Sequence, residues 1–337
     1  MALLVVLCQT MRAAPRADDE IPPRLDASIL RGLGFLAKQQ NPDGSFDTGG
    51  PKVATTGLSL LAFLGAGDSP GLGRYGLNVQ NAVGFLLARQ APDGYLGAGE
   101  RGMYTHAIVT LALTQAYGLE ADAPTRARLH VALEKAVAII VAAQNAPKSN
   151  PVFAGGWRYE RNSPDSDLSL SGWNSLALRA ARDVGVDVPA DSPKRAIEFV
   201  LHCFDEKSKG FAYQPGNPAQ TGETAIGVLC LYLLDSGDAN APKLDAATKY
   251  LESHPIDDNS PFPCYATYYV AQAAFQKGGD TWARAGRPAL ERLINLQDKD
   301  GGWPQSKSSQ EPGRPYATAM ALQSLTVPYR LLPVYQR

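Results

Sequence analysis

Asp165 and Asp167 stand two residues apart in the segment SPDSDLSLSGW (163–173), directly before an apolar stretch with helical spacing. Carboxyl groups at such a position suit two roles. A buried carboxylic acid that keeps its proton can donate it inside an apolar cavity, and a second carboxyl group nearby helps to keep that proton. Alternatively, Asp and Ser cap helix N-termini, where the helix dipole favours a negative charge. Both roles stay open for Asp165 and Asp167, and capping is the role that fits Ser169.

The two aspartates lie within a sequence that repeats itself. Each copy has an apolar helical pattern, a Gln, an Asp-Gly pair and an aromatic or apolar residue, as in GLGFLAKQQNPDGSF (32–46), AVGFLLARQAPDGYL (82–96) and ALERLINLQDKDGGW (289–303). Weaker copies cover 136–159 and 196–213. A helix near 243–252 lacks the Gly-aromatic end. In these loops Gly permits a tight turn, the aromatic residue can pack on a neighbouring helix, and the Gln can bond the exposed helix end.

A second apolar helix, rich in small residues, follows each loop. These helices cover 53–67, 103–118, 169–185, 222–237, 264–279 and 315–325. The first helix of each pair is amphipathic and fits an outer layer, whereas the second is apolar on most faces and fits an inner layer. Six pairs at a period of about 40–65 residues are typical of helical-pair repeats. Neither terminal pair has the polar face of a cap, so we predict a closed, all-α (α/α)6 toroid.

Composition excludes several classes of function. With 32 basic and 33 acidic residues and a net charge of −1, the chain has no charge-driven nucleic-acid surface, and we predict no nucleic-acid partner. We find no apolar run of the roughly 18–20 residues that span a membrane, and predict no integral span. The short apolar run near the N-terminus resembles the end of a signal peptide, with a plain disordered N-terminus as the alternative. We expect residues 1–25 to be a signal-peptide remnant and flexible N-terminus, and the protein to be exported to the periplasm or the extracellular space. We expect a single domain over 26–337, with 327–337 as an extended tail outside the ring.

The repeated loops resemble the QW repeats of the prenyltransferase/squalene-oxidase family, over about residues 28–330. That family includes squalene-hopene cyclases and protein prenyltransferase β-subunits and folds as an α/α toroid. The segment GGWRYERNSPDSDLSLSGWNSLAL (155–178) is similar to the cyclase stretch with the Asp-x-Asp-Asp-Thr-Ala acid motif. The resemblance implies a terpenoid cyclase or isomerase with Asp167 as general acid on an isoprenoid. Leu168 replaces the second of the adjacent aspartates.

The N-terminal ends of parallel inner helices would form one mouth, which gathers the candidate ligand-binding residues. An acid that protonates an alkene leaves a carbocation, and aromatic rings attract cations. The candidates for substrate binding are Trp173, Tyr104, Tyr265, Tyr268 and Tyr316, together with His106 and Glu223. His106 could orient or reprotonate a carboxylate, or be a satisfied histidine at a helix start. Glu223 could equally be a first-turn helix glutamate.

Cys264 resembles the zinc-ligand cysteine of the prenyltransferase branch of this family. The Asp expected two residues earlier is Phe262, and the expected His is matched by Tyr316 or Ala317. One ligand cannot hold zinc, which takes four donors. We therefore predict no metal and no cofactor.

Two functions fit the sequence. One is the metal-independent, cyclase-like isomerase with Asp167 and Asp165 as catalytic residues, for which a partner chain could supply the second α-barrel domain of triterpene cyclases. The other is a non-catalytic, exported toroid whose mouth binds an apolar ligand or a protein partner.

Overall fold

The computed structural model describes residue 22 and residues 24–336, apart from 48, 98, 235–237, 257–259, 261 and 306–309. Cys8 and most of the predicted signal remnant 1–25 lie outside the described residues. Twelve α-helices of ten or more residues account for nearly all of the regular structure in the described part. None of the described helices is both long and apolar enough to span a membrane.

The helices alternate between an outer and an inner layer along the chain. The outer helices are α1 (Leu25–Lys38), α3 (Gly76–Ala88), α5 (Ala123–Gln144), α7 (Ser192–His202), α9 (Ala241–Ser253) and α12 (Arg287–Leu296). The inner helices are α2 (Lys52–Gly65), α4 (Met103–Leu119), α6 (Leu168–Asp183), α8 (Thr221–Leu234), α10 (Pro263–Lys277) and α13 (Gly313–Leu325). A single turn, α11 (Gly279–Thr281), and a π-helical turn (Trp282–Gly286) lead into α12. A two-residue hairpin, β1 (Phe204–Asp205) and β2 (Gly210–Phe211), follows α7.

The inner helices bury almost every residue because they touch both the outer layer and the bore. In α2, all residues from Ala54 to Gly65 are buried. Small side chains allow neighbouring inner helices to approach closely. A Cβ added at Gly172 of α6 would lie 2.6 Å from a methyl group of Ile226 in α8, so a larger residue there would push the two helices apart.

The ring is closed, as the sequence predicts. Each inner helix packs against the next one along the chain, and α13 packs back against α2. The first outer helix, α1, also packs on α13, and Gly32 of α1 leaves room for the ring of Trp303. The (α/α)6 toroid expected from the repeats is therefore confirmed.

Four glutamine side chains join successive outer helices. Each amide donates one hydrogen bond to the carbonyl of its loop glycine and a second to a carbonyl of the next outer helix. Gln297 donates to Gly301 at 2.8 Å and to Ser28 in α1 at 2.9 Å, which ties the last outer helix to the first. The others are Gln40, Gln90 and Gln144. An amide has two donors, so each of these Gln side chains joins its own loop and the next outer helix at the same time.

A second bond anchors four of the loops to the inner helix that follows each of them. The backbone N–H of a buried loop aromatic residue donates to a Ser or Thr hydroxyl one turn into that helix, at 2.9–3.1 Å. The pairs are Phe46–Thr56, Trp157–Ser171, Phe211–Thr224 and Trp303–Thr318. This recurring bond defines equivalent positions around the ring.

The C-terminal residues 327–336 lie across the C-terminal ends of the inner helices. Val334 is fully buried, and Arg179 of α6 donates to its carbonyl at 3.0 Å and to that of Gln336 at 2.7 Å. The hydroxyl of Tyr335 hydrogen-bonds to that of Tyr268 in the bore. The expectation of a tail outside the ring is thus corrected, because its apolar side chains are buried in the end of the bore. The tail closes this end.

Candidate functional site

A cavity of about 660 Å³ opens at the opposite end, where the inner helices begin. Its wall takes residues from all six inner helices, including Ala54, Thr105, Ser169, Gly222 and Ala266. The N-termini of the inner helices therefore share one rim. Such a concave volume lies within the range of small-molecule sites.

Tyrosines dominate the cavity wall, with aliphatic side chains between them. The tyrosines are Tyr104, Tyr159, Tyr213, Tyr250, Tyr265 and Tyr316. Leu58 and Ile108, one to two turns into α2 and α4, supply apolar surface. Burial raises the pKa of Tyr104, Tyr265 and Tyr316 above the ordinary value, so these hydroxyls keep their protons at neutral pH. The wall is thus largely apolar, with hydroxyl groups available as donors.

Aromatic residues fill the bore beyond the cavity. Trp173 donates its indole N–H to the Tyr104 hydroxyl at 3.2 Å and stacks on Tyr268 with ring centroids 5.6 Å apart. Trp173 and Tyr268 are buried and lie beneath the wall rather than in it. Their predicted contact with a ligand is corrected: they pack against each other and support Tyr104, which does line the cavity.

Asp167 is the N-cap of α6. Its Oδ1 accepts the backbone N–H of Leu170 at 2.8 Å, and its Oδ2 accepts Arg158 at 2.6 Å and the hydroxyl of Tyr213 at 3.1 Å. Its side chain is fully buried and does not line the cavity. Burial raises the pKa of Asp167, while the Leu170 amide, the Arg158 charge and the Tyr213 hydroxyl oppose that rise. Both carboxyl oxygens have hydrogen-bond partners. This arrangement fits the role of a helix cap rather than that of a free acid.

Asp165 also faces away from the cavity. About a third of its side chain is exposed, and its Oδ2 lies 3.3 Å from Nε of Arg158 and 3.0 Å from Nε2 of Gln214. Arg158 therefore bridges the two aspartates that the sequence predicts as a catalytic pair. The pair shares a guanidinium group instead of sharing a proton.

Glu223 differs from Asp167 in its surroundings. It lies in the first turn of α8 and lines the cavity. Among the described residues, no side chain hydrogen-bonds to its carboxyl group or forms an ion pair with it. Burial raises the pKa of Glu223, and the negative charge of Asp167 raises it further, although its own backbone amide lowers it. Glu223 is thus a carboxyl group that a ligand can reach.

Glu311 is the second carboxyl group of the cavity wall. It precedes α13, and its Oε1 accepts the backbone N–H of Tyr265 at 2.8 Å. Arg101, which is exposed, is the basic residue of the described wall.

His106 has a structural position, so its predicted contact with a ligand is corrected. Its Nδ1 accepts the backbone N–H of Leu96 at 3.1 Å, which is the loop-anchoring bond that Ser and Thr make elsewhere in the ring. Its Nε2 lies 3.0 Å from the carbonyl of Ala136, which it reaches as a donor when the ring is neutral. Burial lowers the pKa of His106 to about 4. The imidazole therefore stays neutral and replaces a hydroxyl in the repeat.

The cysteine that resembles a zinc ligand of the prenyltransferase branch is Cys264, at the start of α10. Burial raises the pKa of Cys264 well above its ordinary value, and the charge of Glu311 raises it further. Within the described part of the chain, no three His, Cys, Asp or Glu side chains are grouped as a metal site.

Sequence reasoning missed Arg158, Tyr159, Tyr213 and Glu311. The repeat contains a signal for two of them, because Tyr159 and Tyr213 each stand two residues after a buried loop aromatic residue, Trp157 or Phe211. Aligned by that aromatic residue, both tyrosines occupy the same place beside the mouth, and their hydroxyls are 3.3 Å apart.

The fold and the site together define a class: an α/α toroid whose bore is sealed at one end and opens at the other as a tyrosine-lined cavity. No protein-family model matches this chain, and no curated protein matches it.

The solved structures with this fold include two kinds of enzyme. An inactive variant of the GH76A α-1,6-mannanase of Salegentibacter sp., in complex with α-1,6-mannotriose, is 12% identical, with a TM-score of 0.63 over 91% of this chain and 99% of that one. The type II terpene cyclase MstE from Scytonema is 14% identical, with a TM-score of 0.60 over 92% and 99%. A GH76 α-mannanase of Bacteroides thetaiotaomicron is 13% identical, with a TM-score of 0.64 over 91% and 96%. At these identities the likeness shows the shared toroid, and squalene-hopene cyclase specificity is not supported.

Proposed function

We propose that this protein binds an apolar, isoprenoid-like ligand in the cavity at the mouth of the toroid. The observation that carries the proposal is the blind cavity of about 660 Å³ with tyrosine and aliphatic walls. Burial of apolar ligand surface contributes about 25 cal/mol per Å², so a hydrocarbon chain gains most from such a wall. This is the second function that the sequence left open, with a ligand rather than a protein partner at the mouth.

The contacts of Asp167 favour binding over acid catalysis at that residue. A general acid needs a proton to give and access to the reacting atom. In this structure Asp167 caps α6, pairs with Arg158 at 2.6 Å and lies behind the cavity wall. Burial raises the pKa of Asp167, and the Arg158 charge opposes that rise by favouring the ionised form.

The binding test uses farnesol and geranylgeraniol in isothermal titration calorimetry, with α-1,6-mannotriose as a carbohydrate ligand for comparison. We expect polyprenol binding in the micromolar range and no binding of the trisaccharide. Ile108→Trp should abolish polyprenol binding because it fills the cavity. Leu77→Trp is the matched control, since Leu77 is 71% exposed on the outer helix α3. Binding of mannotriose in preference to both polyprenols would overturn the proposal.

A second candidate function is the cyclase-like isomerase that the resemblance implies. Two observations favour it: the terpene cyclase MstE shares the fold, and Tyr213 lines the cavity while its hydroxyl contacts Asp167. The test is product analysis by mass spectrometry after incubation with polyprene substrates. Turnover that disappears in Asp167→Asn, with polyprenol binding retained, would establish this candidate. Binding without turnover in the wild type would leave the first proposal alone.

A further inference from the structure

Glu223 places a carboxyl group in the cavity that the described protein does not neutralise. A buried carboxylate costs free energy unless a cation or several donors compensate it. The first turn of α8 contributes the favourable end of a helix dipole and the backbone amide of Glu223 itself, and neither brings a full positive charge. A ligand that brings a positive charge would supply the missing partner.

Tyrosines line the same cavity as Glu223. Tyr104, Tyr265 and Tyr316 line the cavity from three different inner helices, and the ring centroids of Tyr104 and Tyr265 are 6.3 Å apart. Aromatic faces attract cations, most strongly where water is excluded, and groups of aromatic rings bind quaternary ammonium ions in this way. A cage of this kind tolerates methyl groups on the cation, which a hydrogen-bonding site would not.

The charged residues of the cavity wall also favour a positively charged ligand. Two acidic residues, Glu223 and Glu311, and one basic residue, Arg101, belong to the described wall. Arg101 is exposed to solvent, which weakens its effect on charges deeper in the cavity. An anionic headgroup would meet the unpaired Glu223 and lose affinity.

We propose that the natural ligand is a hydrophobic cation, with an apolar chain and a quaternary or tertiary ammonium group that lies between Glu223 and the tyrosines. The inference rests on the proposed function, because the apolar chain occupies the cavity described above. It adds that the ligand carries a positive charge and that Glu223 recognises this charge.

The first experiment compares three probes with the same chain of ten carbons: decyltrimethylammonium, decan-1-ol and decanoate. Calorimetry should show the cation binding about tenfold or more tightly than the alcohol, and decanoate most weakly. Equal affinity for the cation and the alcohol would overturn the inference and leave the proposed function standing. Failure of all three probes and of the polyprenols would overturn both.

Variants then assign the preference to named residues. Glu223→Gln should reduce the affinity for decyltrimethylammonium about tenfold and leave the affinity for decan-1-ol unchanged. Glu134→Gln, an exposed position on the outer helix α5, is the matched control and should change neither.

A ring variant separates the aromatic contribution from simple packing. Tyr316→Phe retains the aromatic face and should keep the cation preference, whereas Tyr316→Leu should lower it. A preference that survives both Glu223→Gln and Tyr316→Leu would place the cation elsewhere and contradict the inference.

Discussion

Asp167 and Glu223 occupy the beginnings of neighbouring inner helices, and their surroundings are opposite. Asp167 belongs to what we call the frame, the residues whose polar groups bond within the protein. The Leu170 amide, Arg158 and the Tyr213 hydroxyl together satisfy both of its carboxyl oxygens. Glu223 belongs to the cavity wall, and no described side chain pairs with it. The sequence motif pointed to the carboxyl group of Asp167. The carboxyl group without a described side-chain partner is that of Glu223.

The difference extends to the other polar residues of the mouth. Frame residues such as Gln297 and His106 form their hydrogen bonds with backbone groups, one in their own repeat and one in the next repeat around the ring. Cavity residues such as Gln310 and Glu223 face the open volume. Substitutions in the frame should therefore change the stability of the protein, and substitutions in the wall should change ligand binding.

The largest effect is expected for Asp167→Ala. Removing this carboxylate deletes the cap of α6 and leaves the guanidinium of Arg158, 22% exposed, with one partner fewer. Loss of a buried pair and of a cap together should lower the free energy of unfolding by about 3 kcal/mol. Urea denaturation measures this value.

The matched variant is Asp165→Ala, whose carboxylate is a third exposed and should contribute less than about 1 kcal/mol. Equal destabilisation by the two variants would contradict the larger structural role assigned to the buried carboxylate of Asp167.

His106 should give the stability of the wild type an acid dependence. The unfolded histidine takes up a proton near its ordinary pKa of 6.5, whereas the folded one stays neutral down to a pKa of about 4. The contribution of His106 to the free energy of unfolding is therefore complete above pH 6.5. It is lost as the pH falls from 6.5 to about 4, by up to about 3 kcal/mol.

The variant His106→Thr installs the residue that the equivalent position carries at Thr56, Thr224 and Thr318. Its unfolding free energy should fall less steeply between pH 7 and about pH 4 than that of the wild type. Parallel pH profiles for the two proteins would show that His106 titrates normally in the fold.

Gln297→Ala should have a smaller effect. The variant loses three hydrogen bonds: one within its loop, and two that join the end of α12 to α1, where Gln297 donates to the Ser28 carbonyl and accepts from Arg31. A loss of about 1–2 kcal/mol is expected in urea denaturation. Gln310→Ala in the cavity wall is the comparison and should leave stability unchanged. If Gln310→Ala proved as destabilising as Gln297→Ala, the Gln310 side chain would stabilise the fold, and the distinction between frame and wall would fail.

The smallest change in stability is expected for Glu223→Gln. Burial raises the folded pKa of Glu223 above its ordinary value of 4.5, so the unfolded state releases its proton first as the pH rises. The wild type should then lose stability between pH 4.5 and the raised pKa, and the variant should not. Unfolding curves of the two proteins should coincide at pH 4 and favour the variant at pH 8. A variant that is less stable at pH 8 would reveal a partner for the carboxylate.

The sequence by itself determined the architecture. Glycine, aromatic and glutamine residues recur at one spacing, and small apolar residues recur in every second helix, because each repeat must bury the same faces against its neighbours. The closed ring, the two layers and the common rim of Tyr104, Tyr265 and Tyr316 follow from that pattern. These features are local or repeated, so each copy supports the interpretation of the others.

Only the tertiary structure decided which polar groups are free. The partners of Asp167 come from the loop before α6 and from Tyr213, 46 residues further along the chain. His106 is satisfied by Leu96 and Ala136, which belong to a loop and an outer helix. A hydrogen bond or an ion pair between distant repeats depends on how the side chains meet in space. The spacing of residues within one repeat does not predict it. The placement of the C-terminal tail over the bore has the same origin, because burial in a cavity formed by six helices is a property of the assembled ring.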